Sequence, residues 1–343
     1  MTAVTLRAGS WLSLPVRRRS LAIAGFLVAG ILLIGFLTLT LGRLGIAPDA
    51  LLPAILGTST GPDRIVFGTI RGPRLLTAIA AGAAFGIAGT LFQAVTRNPL
   101  GSPDVIGLSS GAAAGAAAFG LVWTGILPLP VGALVGAFAA MALVWAGTGR
   151  GFSSPSRMLL VGIGISAMAV AFVQYAIARA GVEQAVVVAA YVNGSLAARS
   201  WEHVAIITVS LLLLVPCALL LSRRLQLIEM GDEQADALGA RSASTRLSVI
   251  LIGIGLATAA VSVAGPIAFI ALTAPQIARR LSRMPGPGIL LSALMGGFLL
   301  ALADLVAQQA PFGVQLPVGI LTAAIGGVYL GYLLVTEWKK GTV

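Results

Sequence analysis

The side chains that carry chemistry in proteins are scarce in this chain of 343 residues, which has one histidine (His203), one cysteine (Cys217) and 11 carboxylates. One imidazole and one thiol cannot assemble a tetrahedral metal site or a nucleophile–base pair. No G-x-x-x-x-G-K-S/T run occurs, so the chain lacks that phosphate-cradling loop. Acidic residues gather instead in one segment, Glu229-Met230-Gly231-Asp232-Glu233-Gln234-Ala235-Asp236-Ala237-Leu238-Gly239. Asp232, Glu233 and Asp236 suit the first turns of a short helix, where carboxylates meet the positive end of the helix dipole. Gly239 suits its C-terminal cap. The chemistry this implies is recognition: a rigid plug for a soluble partner. A solvated connector is the alternative that the same composition allows.

The elements that must position this segment are set by composition. The chain is 58% hydrophobic and only 10% charged, with 43 glycines and a mean hydropathy of +1.00. A soluble chain carries about 25% charged residues, which excludes a soluble enzyme and a disordered chain. Long apolar runs predict an all-α, multi-helix integral membrane protein, and the short alternating segments of a barrel are missing. Ten spans are expected: Leu21–Leu41, Leu75–Val95, Asp104–Val122, Leu129–Gly147, Arg157–Ala178, His203–Leu221, Arg246–Ala264, Pro266–Arg280, Gly288–Ala307 and Val318–Thr336. The stretch Arg246–Leu281 is read as two spans. As one helix it would be about 54 Å long against a hydrocarbon core of about 30 Å, and Gly265-Pro266 breaks it.

Domain organisation follows as a cytoplasmic N-terminal tail (1–20), a polytopic membrane domain (21–336, with a cytoplasmic loop at 222–245) and a cytoplasmic C-terminal tail (337–343). Arg17-Arg18-Arg19 precedes an apolar run too long for a signal peptide. With both termini inside, 16 of the 22 basic residues fall in inner loops, the bias of the positive-inside rule. Runs such as Gly82–Gly89 and Gly111–Gly115 predict close helix packing. Asp304 is the sole acid inside a span, expected to pair with a neighbour, and His203 opens another. An ion-coupled carrier keeps several acids or histidines at mid-depth, so the sequence points to energy supplied by a partner.

Five motifs in order carry a resemblance over nearly the whole chain: Arg71-Gly72-Pro73-Arg74, Arg97-Asn98-Pro99-Leu100-Gly101-Ser102-Pro103-Asp104-Val105-Ile106-Gly107, Gly231-Asp232 through Ala237-Leu238-Gly239, Gly265-Pro266-Ile267-Ala268-Phe269-Ile270-Ala271-Leu272 and Leu316-Pro317-Val318-Gly319. Together they resemble the FecCD-type permeases of bacterial type II ABC importers, which carry iron–siderophores and vitamin B12. The resemblance implies ten helices, a second permease subunit, a pair of cytoplasmic ABC ATPases, a periplasmic or lipid-anchored binding protein and no cofactor. It implies that Gly231, Asp232, Glu233, Ala235, Asp236, Leu238 and Gly239 couple to the ATPase. Arg71 and Arg74 would dock the binding protein, or else anchor a helix end at the headgroups. Ser153, Ser154 and Ser156 match the neighbourhood of a cytoplasmic gate, while Gln174 and Tyr175 face either the pathway or a neighbouring helix. The chain departs from the family at Gln276, where many relatives have histidine, at Gln308, where some place a docking arginine, and at Ala271, commonly glycine. The implied activity is ATP-driven import of a ferric siderophore of the catecholate kind across the inner membrane. Vitamin B12 or haem import, and ion-coupled secondary transport, stay open.

Overall fold

The computed structural model describes residues 3–8, 12–42, 44–59, 61–149, 155–283, 286–310 and 316–339. A short antiparallel hairpin, β1 (Ala3–Ala8) with β2 (Leu12–Arg17), leads into an α-helical bundle. The helices are α1 (Arg18–Thr40), α2 (Pro48–Ile55), α3 (Pro62–Ile65), α4 (Gly72–Thr96), α5 (Leu108–Ala117), α6 (Leu129–Gly147) and α7 (Pro155–Arg179). They continue with α8 (Val182–Val192), α9 (Trp201–Glu229), α10 (Asp232–Ala237), α11 (Ser242–Ala264), α12 (Ile270–Ser282), α13 (Ile289–Gln309) and α14 (Val318–Lys339). Every expected span overlaps one of these helices. Among the described residues seven helical stretches are long and apolar enough to cross a membrane, and Leu108–Val122, Val182–Val192 and Val318–Tyr332 are shorter apolar helices.

Helix α4 is the buried centre, with Ala78, Ala81, Ala84, Phe85, Ala88, Leu91 and Phe92 all closed from solvent. Its glycines explain how so many neighbours fit. A Cβ on Gly82 would stand 2.3 Å from the Gly296 carbonyl oxygen of antiparallel α13, and one on Gly89 would stand 1.7 Å from the Ala271 oxygen of α12. Backbones touch there without intervening side chains, the packing expected where lipid supplies no hydrophobic drive between helices. Ala271 itself is fully buried.

Three boundaries differ from expectation, each for a local reason. The third span opens on a turn, and its helix begins at Leu108, because Gly107 takes a left-handed φ of 94° at the N-cap. The eighth begins at Ile270 rather than Pro266: Gly265 (φ 77°) and Phe269 (φ 69°) carry the chain through a non-helical link. The 13 residues of α12 are about 20 Å long, short of a hydrocarbon core of about 30 Å. The link between spans five and six folds as α8, which the Tyr191 hydroxyl ties to the end of α11 by donating to the Val261 and Ser262 oxygens, 3.0 Å from each.

The bundle has two ends that matter for function. At one lie the start of α1, the ends of α4, α9 and α12, and all of α10. Here Arg17 and Arg19 donate to the Arg283 and Leu281 oxygens at 3.1 and 2.6 Å, satisfying carbonyls that the end of α12 leaves open. At the other lie the starts of α4 and α9, the end of α13, and α8.

Candidate functional site

The acidic segment folds as a braced hairpin of helices. After α9, Gly231 adopts φ 127° and releases α10, while Gly239 (φ 78°) and Arg241 (φ 48°) turn the chain into α11. Ala235 is the anchor, fully buried against Ile228 and Ala240. Asp236 accepts from the Ser242 amide at 2.6 Å and from its hydroxyl at 2.8 Å, which caps the first turn of α11. These two hydrogen bonds hold the Asp236 carboxyl below the usual carboxylate range. Asp232 sits between two arginines: it pairs with Arg97, the left-handed residue that ends α4, and with Arg246 of α11 at 2.7 Å. Arg97 also donates to the Ile228 oxygen at 2.8 Å. One carboxylate thus ties α10 to α4 and α11, while Glu233, Leu238 and Gly239 stay exposed on the outer side. Met230 and Leu238, 65% and 63% exposed, add two apolar prongs. The arrangement offers a rigid, outward-facing surface with acidic and apolar groups, suited to seating in a cleft of a soluble protein.

Behind it lies a polar network that the sequence reading missed. Gln276 donates to the Gln93 side-chain oxygen at 2.8 Å and to the Pro99 carbonyl at 3.1 Å, and Gln93 donates to the Leu272 carbonyl at 3.0 Å. The amide at 276 therefore stitches α12 to the end of α4 and to the turn that follows. Arg279 pairs with Glu229 at 2.9 Å. The sequence shows these polar residues toward the ends of otherwise apolar helices, but not which of them meet.

At the opposite end the two expected docking arginines turn inward. Arg71 is 7% exposed and donates to the Thr38 carbonyl of α1. Arg74 grips Asp304 of α13 with two nitrogens at 2.7–3.1 Å. Gln308, where some relatives place an arginine, donates to the same carboxylate at 2.7 Å. Both arginines are thus engaged within the bundle, Arg71 tying α4 to α1 and Arg74 tying it to α13. His203 is spent locally: its Nδ1 lies 2.9 Å from the Ser200 hydroxyl in a capping box at the start of α9.

Ser153 and Ser154 lie outside the described residues, and Ser156 stands in the first turn of α7. Gln174 and Tyr175 are both exposed on α7, opposite Val173 and Ala176, which pack against α5 and α8. The Tyr175 hydroxyl accepts from Arg179 at 3.3 Å, whose guanidinium lies 5.8 Å from the tyrosine ring centre. No cluster of metal-ligating side chains occurs among the described residues.

Known proteins can be set beside this geometry. Residues 30–336 match the model of the FecCD transport family. The ferric enterobactin transport system permease protein FepG of Escherichia coli (strain K12) is 38% identical over 326 residues, covering 95% of this chain and 99% of that protein. The Fe(3+)-citrate import system permease protein YfmE of Bacillus subtilis (strain 168) is 36% identical, covering 94% and 98%. A solved structure described as an inward-facing conformation of a metal-chelate type ABC transporter superposes with a TM-score of 0.80 at 27% identity, covering 92% of this chain and 99% of that one. The five ordered motifs, the bundle around α4 and these matches agree: this multi-pass membrane chain belongs to the FecCD transport family.

Proposed function

We propose that the chain is the transmembrane permease subunit of an ATP-driven importer that moves a ferric siderophore across the bacterial inner membrane by alternating access. The cargo is read as a catecholate chelate of the ferric enterobactin kind, on the strength of the FepG likeness along almost the full chain. The chain performs no chemistry of its own. A cytoplasmic ABC ATPase dimer docks on α10, a periplasmic or lipid-anchored binding protein delivers the chelate, and a second, FepD-like permease subunit completes the pathway. Both termini are placed in the cytoplasm, because the basic residues at the start of α1 and at the ends of α4, α9 and α12 then lie on the inner side.

The observation that carries the reading is the clamp on Asp232. A helix of six residues has little stability alone, yet this one is fixed to two long helices by a bridging carboxylate and a buried alanine. A motor pushing on α10 would therefore move α4 and α11 directly. In this reading Arg71 and Arg74 hold the docking end in shape by tying α4 to α1 and α13. Gln174 and Tyr175 are placed toward the pathway or the second subunit, and the serines 153, 154 and 156 near the inner gate.

Uptake into proteoliposomes tests this. The chain with its ATPase, partner permease and binding protein should accumulate ferric enterobactin with ATP, stop with vanadate and ignore an uncoupler. Uptake by the chain alone, or collapse with the uncoupler, overturns the motor assignment. Transport of vitamin B12 or haem in place of the siderophore overturns the cargo assignment alone.

A further inference from the structure

A cavity of about 580 Å³ opens between the start of α6, one face of α8 and the start of α9. Its wall is mostly apolar, formed by Leu129, Pro130, Val186, Val187 and Ala190, with Tyr191, Arg199 and His203 at one corner. Arg199 carries the charge that borders this cavity. Four arginines of the chain, Arg74, Arg97, Arg246 and Arg279, are paired with carboxylates. Arg199 is half-buried and has no carboxylate partner among the described residues. Its Nη2 donates to the Ser195 carbonyl at 2.6 Å, and the guanidinium lies 5.8 Å from the Tyr191 ring centre. Its Nε is closed from solvent with no acceptor. A guanidinium has five N–H donors and always carries its charge, so this site holds a cation for which the described residues supply no paired carboxylate.

The surroundings indicate where a counter-charge comes from. On α8, Val182, Val186 and Val187 are 81%, 63% and 58% exposed, and the outer faces of α6 and α9 carry exposed Val135, Phe138, Val209, Leu212 and Leu213. The cavity therefore ends a surface of the kind that faces hydrocarbon. Trp201, half exposed at the start of α9 with its indole N–H donating to the Gly68 carbonyl at 2.6 Å, marks headgroup depth. Such a cation beside an apolar wall, at that depth, fits a ligand with an anionic head and an apolar body.

We propose that this cavity is a binding site for an anionic membrane phospholipid, its phosphodiester against Arg199 and its acyl chain along Leu129, Val186 and Val187. The site does not depend on the cargo of the transporter. A permeating anionic chelate shares the required chemistry, so the test separates the two.

The full chain is placed in nanodiscs of mixed phosphatidylglycerol and phosphatidylcholine, and retained lipid is counted by native mass spectrometry. Wild type should retain phosphatidylglycerol with a preference of roughly fivefold over phosphatidylcholine. Arg199→Gln should lose the preference, and Arg199→Lys should keep part of it. Val187→Trp, which fills the cavity and leaves the charge in place, should also lose it, a control that stands even if Arg199→Gln fails to fold. Equal retention in wild type and Val187→Trp overturns the proposal. So does displacement of phosphatidylglycerol by ferric enterobactin from wild type, which would assign the cavity to cargo.

Discussion

Arg74 and Asp304, 230 residues apart in sequence, close on each other through a two-pronged ion pair of 2.7–3.1 Å with Asp304 almost fully buried. Paired guanidinium and carboxylate planes match in shape, which gives this contact both strength and a fixed orientation. It locks the start of α4 to the end of α13, and Gln308 braces it from one turn further on. Removing one partner would strand a buried charge. We expect Asp304→Ala to destabilise the bundle by roughly 3–5 kcal/mol, while replacing both residues by leucine should be close to neutral. Thermal denaturation of the single and double variants in detergent checks both. Arg74→Ala should lower the melting temperature as well as any binding-protein affinity; a variant that lost affinity at unchanged melting temperature would restore a direct docking role.

The bridge made by Asp232 predicts a different pattern. Its carboxylate is 45% and Arg97 38% exposed, so that pair contributes only about 0.2–1 kcal/mol, while Arg246, 12% exposed, can still donate to the amide oxygen that an asparagine would leave in place. Asp232→Asn should therefore barely change stability or ATPase binding. It should instead raise the number of ATP molecules hydrolysed per substrate imported, because α10 is no longer tied to α4. Transport and hydrolysis measured together in proteoliposomes decide the matter, and an unchanged ratio would refute the coupling role.

Gly239 gives a test of shape. Its φ of 78° is strained for any residue with a side chain, yet a Cβ there meets nothing within 4 Å. Gly239→Trp should leave the bundle folded and project an indole from the exposed side of the hairpin. We expect ATPase association to weaken and uptake to fall together; normal uptake in this variant would argue against α10 as the contact.

Acid sensitivity follows from Asp236. Hydrogen bonds from Ser242 depress its folded pKa, so its stabilising contribution is complete above the unfolded value of about 3.9. That contribution is lost as pH falls through the depressed folded value. The cap on α11 should thus be indifferent to pH between 5 and 8, about 1–4 units above that unfolded value, and open only in stronger acid. Hydrogen exchange at the Ser242 amide reports this, and Asp236→Ala should speed exchange already at neutral pH.

Much of this architecture was legible in the residues. Apolar runs are long enough to count, and Gly265-Pro266 announces a break because one residue tolerates positive φ and the other has no backbone N–H to donate. What escaped was decided by distant partners. Nothing local to Gln93 or Gln276 says that their side chains meet across 183 positions. The sequence predicts a partner for Asp304 without naming Arg74, which only the side-by-side packing of α4 and α13 supplies. Helix α8 escaped for another reason: 11 residues are too few for a span, and an apolar link between spans looks like a loop until Tyr191 is seen anchoring it.

The carbonyl-to-glycine contacts along α4 bear on how such a machine can cycle. With Gly82 against Gly296 and Gly89 against Ala271, there is no side-chain cushion to absorb a slide or a roll. Helices α4, α12 and α13 must travel as a solid block. Opening and closing then falls to the periphery, where α7 and α8 carry their bulky side chains outward. A cross-link within the block should leave transport running, and one from the block to α7 should stall it.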